Sequence, residues 1–560
     1  MRIFMLLFLS AIAIVQGQEQ LPQDYFQNPL DIPLILSGSF GELRSNHFHS
    51  GLDIKTQQRR GLPVYAAADG FVKRIKVSAF GYGKALYIQH PNGYNTVYAH
   101  LQRYAGPIQE YVKGQQYEKE SYEIELFPDS EVLAVKKGDL IAYSGNSGSS
   151  GGPHLHFEIR DAASRPMNPM LFGIQVPDSK PPLINSVYVY PQNNAHVNGS
   201  ANPMKLRLML QNNGSYKTEA IEANGLLGFG VSTNDQLDGA SNKNGVYTIN
   251  TTFNGVPTFG IQFDRFSFAE TRYLNRYIDY GHYRTDRERV QKLFRESNNP
   301  LSLILQETNS GYVDIAETYN GMYTIEITDF AANKTTITVP IKGKKVLSVP
   351  SADRNETNDY VYADQSTAIT TGKFSVFIPS NALYEDVYLD ISSKGDTLFL
   401  HEDTVPIHKN ISISIDASNY ASQDLDKMYI GRLNYRGQPY YTTTYRNGNK
   451  LTAKTRTFGK YTLATDTTPP TVEAENFKDG QWISKHSTLE LKIDDDLSGI
   501  ASYRATLNGR FILTEYDYKT DSLTYYFSDN VVTEAENNLK LIVLDNVGNS
   551  TTFEATFFRK

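Results

Sequence analysis

Residues 145–160 read GNSGSSGGPHLHFEIR, a Gly/Ser-rich loop running into an alternation of Leu155, Phe157 and Ile159. A short alternating run bounded by such a loop is a β-strand signature. Side chains two apart on a strand share a face, so His154 and His156 project together. Neutral imidazole is the commonest metal ligand, and two on one strand face make half of a metal site. Taken alone, the triplet also fits a polar surface pair.

Upstream, HSGLD places His49 and Asp53 around Gly51, and VYAHL carries His100. Imidazole and carboxylate are donors suited to zinc. Of the 11 histidines, six (His47, His49, His90, His100, His154 and His156) fall between residues 47 and 156. A catalytic zinc needs three protein ligands and one open position. Four candidate donors plus His100 exceed that, and the surplus imidazoles are what a hydrolase uses to handle protons and steady an oxyanion. No HExxH occurs, and HEDTVPIH (401–408) lacks that spacing, which excludes a thermolysin-like helix.

Around this segment the chain is long and ordinary in composition. Its 560 residues exceed one core and suggest about four domains at roughly 150 residues each. A net charge of -7 gives no basic footprint, so nucleic acid is not expected as a partner. With 38 Tyr and 28 Phe, the composition favours strands over helices. The absence of cysteine excludes disulfides, thiolate ligands and a thiol nucleophile. Arg2, the apolar run from Phe4 to Val15 and the small Val15 and Gly17 form a signal peptide (1–17), too short to span a bilayer. An exported chain, periplasmic or extracellular, with no transmembrane anchor after cleavage is therefore expected. The FFRK ending carries no wall-sorting signal, which favours a periplasm.

The segments FGELRSNHFHSGLDI, PVYAAADGFV, YIQHPNGYNTVYAHL, VKKGDLIAYSGNSGSSGGPHLHFEI and NPMLF, in that order over residues 36–172, resemble the lysostaphin/LytM-type peptidoglycan endopeptidases. The resemblance implies a compact antiparallel β fold with an open groove. It implies one zinc ion per chain bound by His49, Asp53 and His156, with His100 and His154 in catalysis. It leaves His47 and His90 without a role, His90 being a turn or strand-edge residue. Tyr98, two before His100 on a strand, is expected on the same side, as a further donor or in packing. Residues 106–131 are longer than most members have there. They are rich in Glu and Tyr and are expected to form a hairpin or flap on the groove wall, which would tune or occlude the site, or else a solvated decoration.

The remainder reads as β modules, so the fold class is mainly β: a metallopeptidase domain (18–177) followed by two or three β-sandwiches. DSKPP (178–182) and DTTPP (466–470) each open a strand-rich stretch that closes on an Asp-rich turn, TDFAANKT and LDNVGNST. These are two copies of one module, 178–343 and 466–560, resembling bacterial immunoglobulin-like domains. Near 269–297 the first copy holds a helical insertion, whose Tyr273, Leu274, Tyr277 and Ile278 are expected to pack on their own sandwich. Arg272, Arg276, Arg284 and Arg287 there offer an alternative basic face for anionic wall polymers. A polar linker (342–359) leads to a third β module, 360–465, of no recognisable type. The modules are expected to be autonomous, positioning the enzyme or binding the wall or a cell-envelope protein partner. Residues 18–176 should then hold their metal alone, unless the first sandwich covers an apolar flank.

The implied function is hydrolysis of cross-links or stem peptides of peptidoglycan by metal-activated water. A D-Ala–diaminopimelate bridge and a glycine bridge are the two candidate bonds. The alternative is a non-catalytic wall binder or regulator of other hydrolases. Such members lose a ligand or catalytic histidine, whereas this chain keeps all five. A calcium-dependent adhesin would rest on Asp494, Asp495 and Asp496, where the sequence does not show enough oxygen donors.

Overall fold

The computed structural model describes residues 21–344, 356–357, 359–421 and 424–560. The expected signal peptide (1–17) and most of the 342–359 linker lie outside the described residues. Strand makes up 47% of the described residues against 8% helix, so the fold is mainly β. Among the described residues no helix is long and apolar enough to cross a membrane.

The N-terminal domain contains β1 (Leu36–Gly38), β2 (Leu52–Lys55), β3 (Pro63–Tyr65), β4 (Gly70–Val77), β5 (Lys84–Gln89), β6 (Asn95–Tyr104), α1 (Gly106–Glu118), β7 (Ile124–Leu126), β8 (Ala134–Val135), β9 (Leu140–Ser144), β10 (His154–Arg160) and β11 (Pro166–Met167). The main sheet runs β1-β2-β10-β6-β5-β4-β7. Its pairings are antiparallel, with β10 between β2 and β6: His156 faces Asp53 on one side and Ala99 on the other. Leu52, Ile54, Leu155, Phe157 and Ile159 are fully buried on the core face, which leaves His154 and His156 to the other face. The alternation read around His154 thus sets the orientation of the sheet.

Residues 106–131 are not a hairpin. Pro107 sits in the first turn of α1, and Ile108, Val112 and Gln116, four apart, are its buried stripe. That is the helical period, and β7 then joins the sheet edge beside β4. The segment lies against the last module: Lys113 and Tyr117 both bond the Asp529 carboxylate, and Arg504 pairs with Glu120. It works as a buttress between domains.

Beyond the first domain, residues 183–343 contribute thirteen connected strands. Residues 367–465 form two five-stranded sheets enclosing their own core. Residues 471–558 form a four- and a five-stranded sheet around a third core. The helical insertion is realised as short turns, Leu274–Tyr277 and Tyr280–Asp286. Leu274, Tyr277 and Ile278 are fully buried, but not against their own sandwich alone. Tyr277 and Phe266 also pack on Phe48 of the first domain. Three of the four arginines are engaged with the next module and Arg287 is exposed: Arg272 bonds the Ile407 carbonyl, Arg276 pairs with Glu385, and Arg284 pairs with Asp403.

The first sandwich is consequently not autonomous, because one apolar core runs through it and the N-terminal domain. Phe40 packs at a tilt on Phe266, and Phe48 on Phe263 and Phe266. Each such side chain contributes about 1.5–3 kcal/mol by burial, a large share of the roughly 5–15 kcal/mol that holds a domain folded. A chain ending at residue 176 is therefore expected to aggregate where one ending at 343 stays soluble. Size-exclusion chromatography and thermal melts check this, and a monomeric, cooperatively melting 176-residue form would contradict it.

Candidate metal centre

His49 Nε2, Asp53 Oδ1 and His156 Nδ1 converge: 3.0 Å from His49 to Asp53, 3.1 Å from His49 to His156, 2.9 Å from His156 to Asp53. The edge of a tetrahedron with bonds of about 2.0–2.1 Å is about 3.3 Å, so a small divalent cation fits this donor set. The local sequence explains the convergence. Gly51 lies where a Cβ would sit 2.3 Å from the Phe157 carbonyl, so only glycine lets the HSGLD turn close on β10. Asp53 and His156 then meet through strand register.

Each ligand atom is freed by a partner on the far side of its side chain. His49 Nδ1–H donates to the Ser39 carbonyl at 2.8 Å, which directs Nε2 inward. His156 Nε2–H donates to Glu158 Oε1 at 2.8 Å, which directs Nδ1 inward. Such outer partners fix tautomer and ring orientation at metal sites. Glu158 is itself fully buried and held by Arg160, Ser50 and Tyr82. Asp53 divides its oxygens: Oδ1 faces the histidines, and Oδ2 accepts from Arg44 at 2.8 Å.

Burial pushes the His49 imidazole below its ordinary pKa, keeping its lone pair available. For Asp53, burial pushes upward, but His49 and bonds from His154 and His156 outweigh it and hold the carboxyl well below the usual range. For His156, burial pulls down, yet bonds to Asp53 and Glu158 outweigh it and raise it to about 9. The proton thereby held at Nδ1 is the one a divalent cation would displace. Glu158 stays ionised: Arg160 and His156 overcome the upward push of its burial.

Two further imidazoles border the group. His154 Nδ1–H donates to the Gly152 carbonyl at 2.8 Å, and its Nε2 lies 3.4 Å from Asp53 Oδ1. His100 Nδ1–H donates to the Ser147 carbonyl at 2.9 Å, with its ring centroid 4.7 Å from that of His154. Burial, then the neighbouring His156 and His154, lower His100 to about 3, so it is neutral near pH 7. Strict alternation would put His100 with Tyr98, but His100 has φ 58°, and the β6 register shifts just beyond it. Tyr98 instead stays fully buried in the core, its hydroxyl accepting from Ala67 N–H and Thr96. It does not join the site. His90 is a buried structural residue bonded to the Asp69 carbonyl and Thr96, and His47 is exposed beside Asn46.

Sequence reasoning passed over Glu158, Arg160, Tyr82, Ser50 and Arg44. Glu158 had a signal, because it lies two residues beyond His156 on the same strand face. Glu158→Gln is expected to weaken metal affinity about 10–100-fold, since His156 loses its charged anchor and Arg160 its counter-ion. Competition against a chromophoric chelator measures this, and unchanged affinity would contradict it.

Both flanking modules brace the site. Gly245 N–H of the first sandwich donates to Ser39 Oγ at 2.9 Å, steadying the residue whose carbonyl holds His49. From the last module, Lys519 Nζ bonds the Asn146 and Ser150 carbonyls, and Tyr518 OH reaches Ser149 Oγ at 3.4 Å. That loop supplies the carbonyls holding His100 and His154. Asp53 and His154 open into a groove of about 930 Å³, walled by Ile32, Ile35 and Arg44 and closed on one side by Asn242 of the first sandwich. A larger cavity, about 1420 Å³, lies between the first sandwich and the third module, remote from this group.

The family model of peptidase family M23 matches residues 47–119 and 130–169, and that of the Zu5-like domain matches 358–466, the module whose type the sequence left open. An uncharacterized metalloprotease of Haemophilus influenzae is 33% identical over 161 residues, 28% of each chain. The DD-carboxypeptidase/endopeptidase Mpg of Neisseria meningitidis serogroup B is 33% identical over 136 residues, 24% of this chain and 25% of that one. This chain thus spans about a quarter of the length of these relatives. Among solved structures, the catalytic domain of the antimicrobial peptidase lysostaphin from Staphylococcus simulans matches at 23% identity, covering 24% of this chain and 90% of that one, with a TM-score of 0.19. The part of this chain that carries the candidate metal-binding group, matched over residues 47–119 and 130–169, is a domain of peptidase family M23.

Proposed function

We propose that this chain is an exported zinc metalloendopeptidase that hydrolyses the peptide part of peptidoglycan, with His49, Asp53 and His156 as ligands of one zinc ion. The observation that carries the proposal is the convergence of three ligand atoms, two of them on imidazoles whose other nitrogen is held, beside two unligated imidazoles. Zinc is favoured because the donors are two imidazoles and one carboxylate. When bound, it would supply Lewis acidity, polarising a carbonyl and making water acidic near neutral pH.

The chain's own residues supply the rest. His100, neutral and anchored through Nδ1, presents Nε2 to accept a proton and return it to the leaving amine. His154, anchored through Nδ1 to the Gly152 carbonyl, presents Nε2 beside Asp53, where the imidazolium form, with a proton on each nitrogen, can donate to a developing oxyanion. Arg44 holds Asp53 Oδ2 and fixes the carboxylate plane. The groove between the N-terminal domain and the first sandwich admits an extended peptide. The relative named a DD-carboxypeptidase/endopeptidase supports a D,D bond of the peptide cross-link as the scissile one. The C-terminal modules brace the catalytic loop and remain candidates for contact with the wall or an envelope protein.

Dye-labelled sacculi test this reading. Release that stops on chelation and returns with zinc supports it, and release indifferent to chelation rejects it.

A further inference from the structure

The two Pro-marked modules gather the same three carboxylates at matching places, two buried and one half-buried in each. Asp178 and Asp466 each precede a Pro-Pro pair by three residues, in DSKPP and DTTPP. Leu183, the first residue after one pair, faces Asn234 across the sheet, and Asp235 follows. Thr471, the first residue after the other, faces Asp494, and Asp495 follows. Asp329 and Asp545 close the modules. Each is bonded through both oxygens by the asparagine four residues on, at 2.9 and 2.9 Å from Asn333 and 2.8 and 2.6 Å from Asn549. In both modules one oxygen from each carboxylate lies within 4.8 Å of the other two. The intervening residues differ, so the acids recur where their neighbours do not.

Nothing charged offsets these groups: among the described residues no lysine, arginine or histidine forms an ion pair with any of the six. Asp235 is only 2% exposed, and its Oδ1 has no hydrogen-bond donor although it lies beside Asp178 and Asp329. Asp178 Oδ2 is likewise without a donor. Burial and these neighbours push Asp235 up to about 7, the penalty for gathering like charges away from water. The orphaned oxygens lie in the first triad and point to a missing cation there. The carboxylates of the second accept from the N–H groups of Thr468, Ser498, Leu497, Gly499, Val547 and Asn549, and the recurrence of the same three acids at matching places extends the reading to it.

We propose that each of these sandwiches binds one divalent cation, calcium by its chemistry, between Asp178, Asp235 and Asp329 in the first and between Asp466, Asp495 and Asp545 in the second. The donors are all oxygen, which hard cations prefer. Oxygens sharing one calcium at about 2.3–2.6 Å can lie up to about 5 Å apart, whereas magnesium at about 2.1 Å demands a tighter cluster. The Asp494–Asp496 run is not the site. Only Asp495 contributes, and its partners come from residues 29 positions earlier and 50 later. Both sites lie where the chain enters a module. At the second, Asp466 N–H donates to the Lys427 carbonyl at 2.8 Å, and Lys427 Nζ to the Val547 carbonyl at 3.2 Å. An ion there fastens the incoming strand to its sandwich and stiffens the junction with the preceding domain.

The experiment is equilibrium dialysis of the mature chain, stripped with chelator and reloaded with zinc, against radiolabelled calcium at pH 7. Two calcium ions per chain are expected, one in Asp235→Asn, one in Asp495→Asn and none in the double variant. The melting temperature of the unsubstituted chain should rise with calcium and that of the double variant should not respond. No calcium on the folded unsubstituted chain, or binding that the double variant keeps, overturns the proposal. The stoichiometry of the unsubstituted chain decides the matter even if a variant fails to fold. Because the zinc site is filled beforehand, the outcome is independent of the peptidase reading.

Discussion

Asp53→Ala is expected to leave a folded chain with no stoichiometric zinc and no measurable peptidase activity. The side chain contributes one of three ligand atoms, and its Oδ1 is also the group around which His49, His154 and His156 are arranged. Without it, two imidazoles and an Arg44 guanidinium left with Glu42 as its one carboxylate partner face the same space, which no longer holds the negative charge that draws a cation. The fold should survive, because Leu52 and Ile54 on either side keep β2 in the core. His49→Ala and His156→Ala should behave alike. Elemental analysis of the purified variant measures the metal, and a full equivalent of zinc in Asp53→Ala would remove this residue from the ligand set.

The second large effect separates chemistry from metal binding. His154→Ala and His100→Ala are expected to retain one zinc per chain while turnover falls about 10²–10⁴-fold, the usual contribution of a positioned proton-transfer group. Both imidazoles use Nδ1 on loop carbonyls, Gly152 and Ser147, and neither is needed to complete a three-ligand set. KM should change less than kcat, since the groups act on charge that develops during reaction. Parallel zinc analysis and steady-state kinetics on a soluble peptide check this. Loss of zinc from His154→Ala with retention in His156→Ala would reverse the roles of the pair.

How much of this was legible follows from the range of each interaction. His154 and His156 share a strand, and the alternation of Leu155, Phe157 and Ile159 fixes their face, so period-two reading suffices. His49 and Asp53 are joined through Gly51, whose absent side chain is what the close approach to Phe157 requires. Those two segments place the candidate metal-binding group and the sheet that carries it. Tyr98 is expected beside His100 because the sequence gives no sign of the left-handed backbone at His100, which turns that ring toward His154 while Tyr98 stays in the core. In 106–131 the acidic residues drew attention away from the four-residue spacing of Ile108, Val112 and Gln116. Contacts between modules had no local signal. Lys519 on the Asn146 carbonyl and Phe48 against Tyr277 join residues hundreds of positions apart, so a first sandwich read as autonomous proves to share a core with the domain before it. The repeated acids were visible as motifs, but their convergence depends on strand register.

The most direct test of the central claim is mass spectrometry of defined muropeptides incubated with the zinc-loaded mature chain. A D-Ala–diaminopimelate cross-linked dimer should be converted to two monomers with uptake of one water, while the His49→Ala chain leaves it intact. Failure of the folded, zinc-loaded chain to cut either that dimer or a glycine-bridged one, or equal cleavage by His49→Ala, would contradict the assignment of this domain as a peptidoglycan endopeptidase.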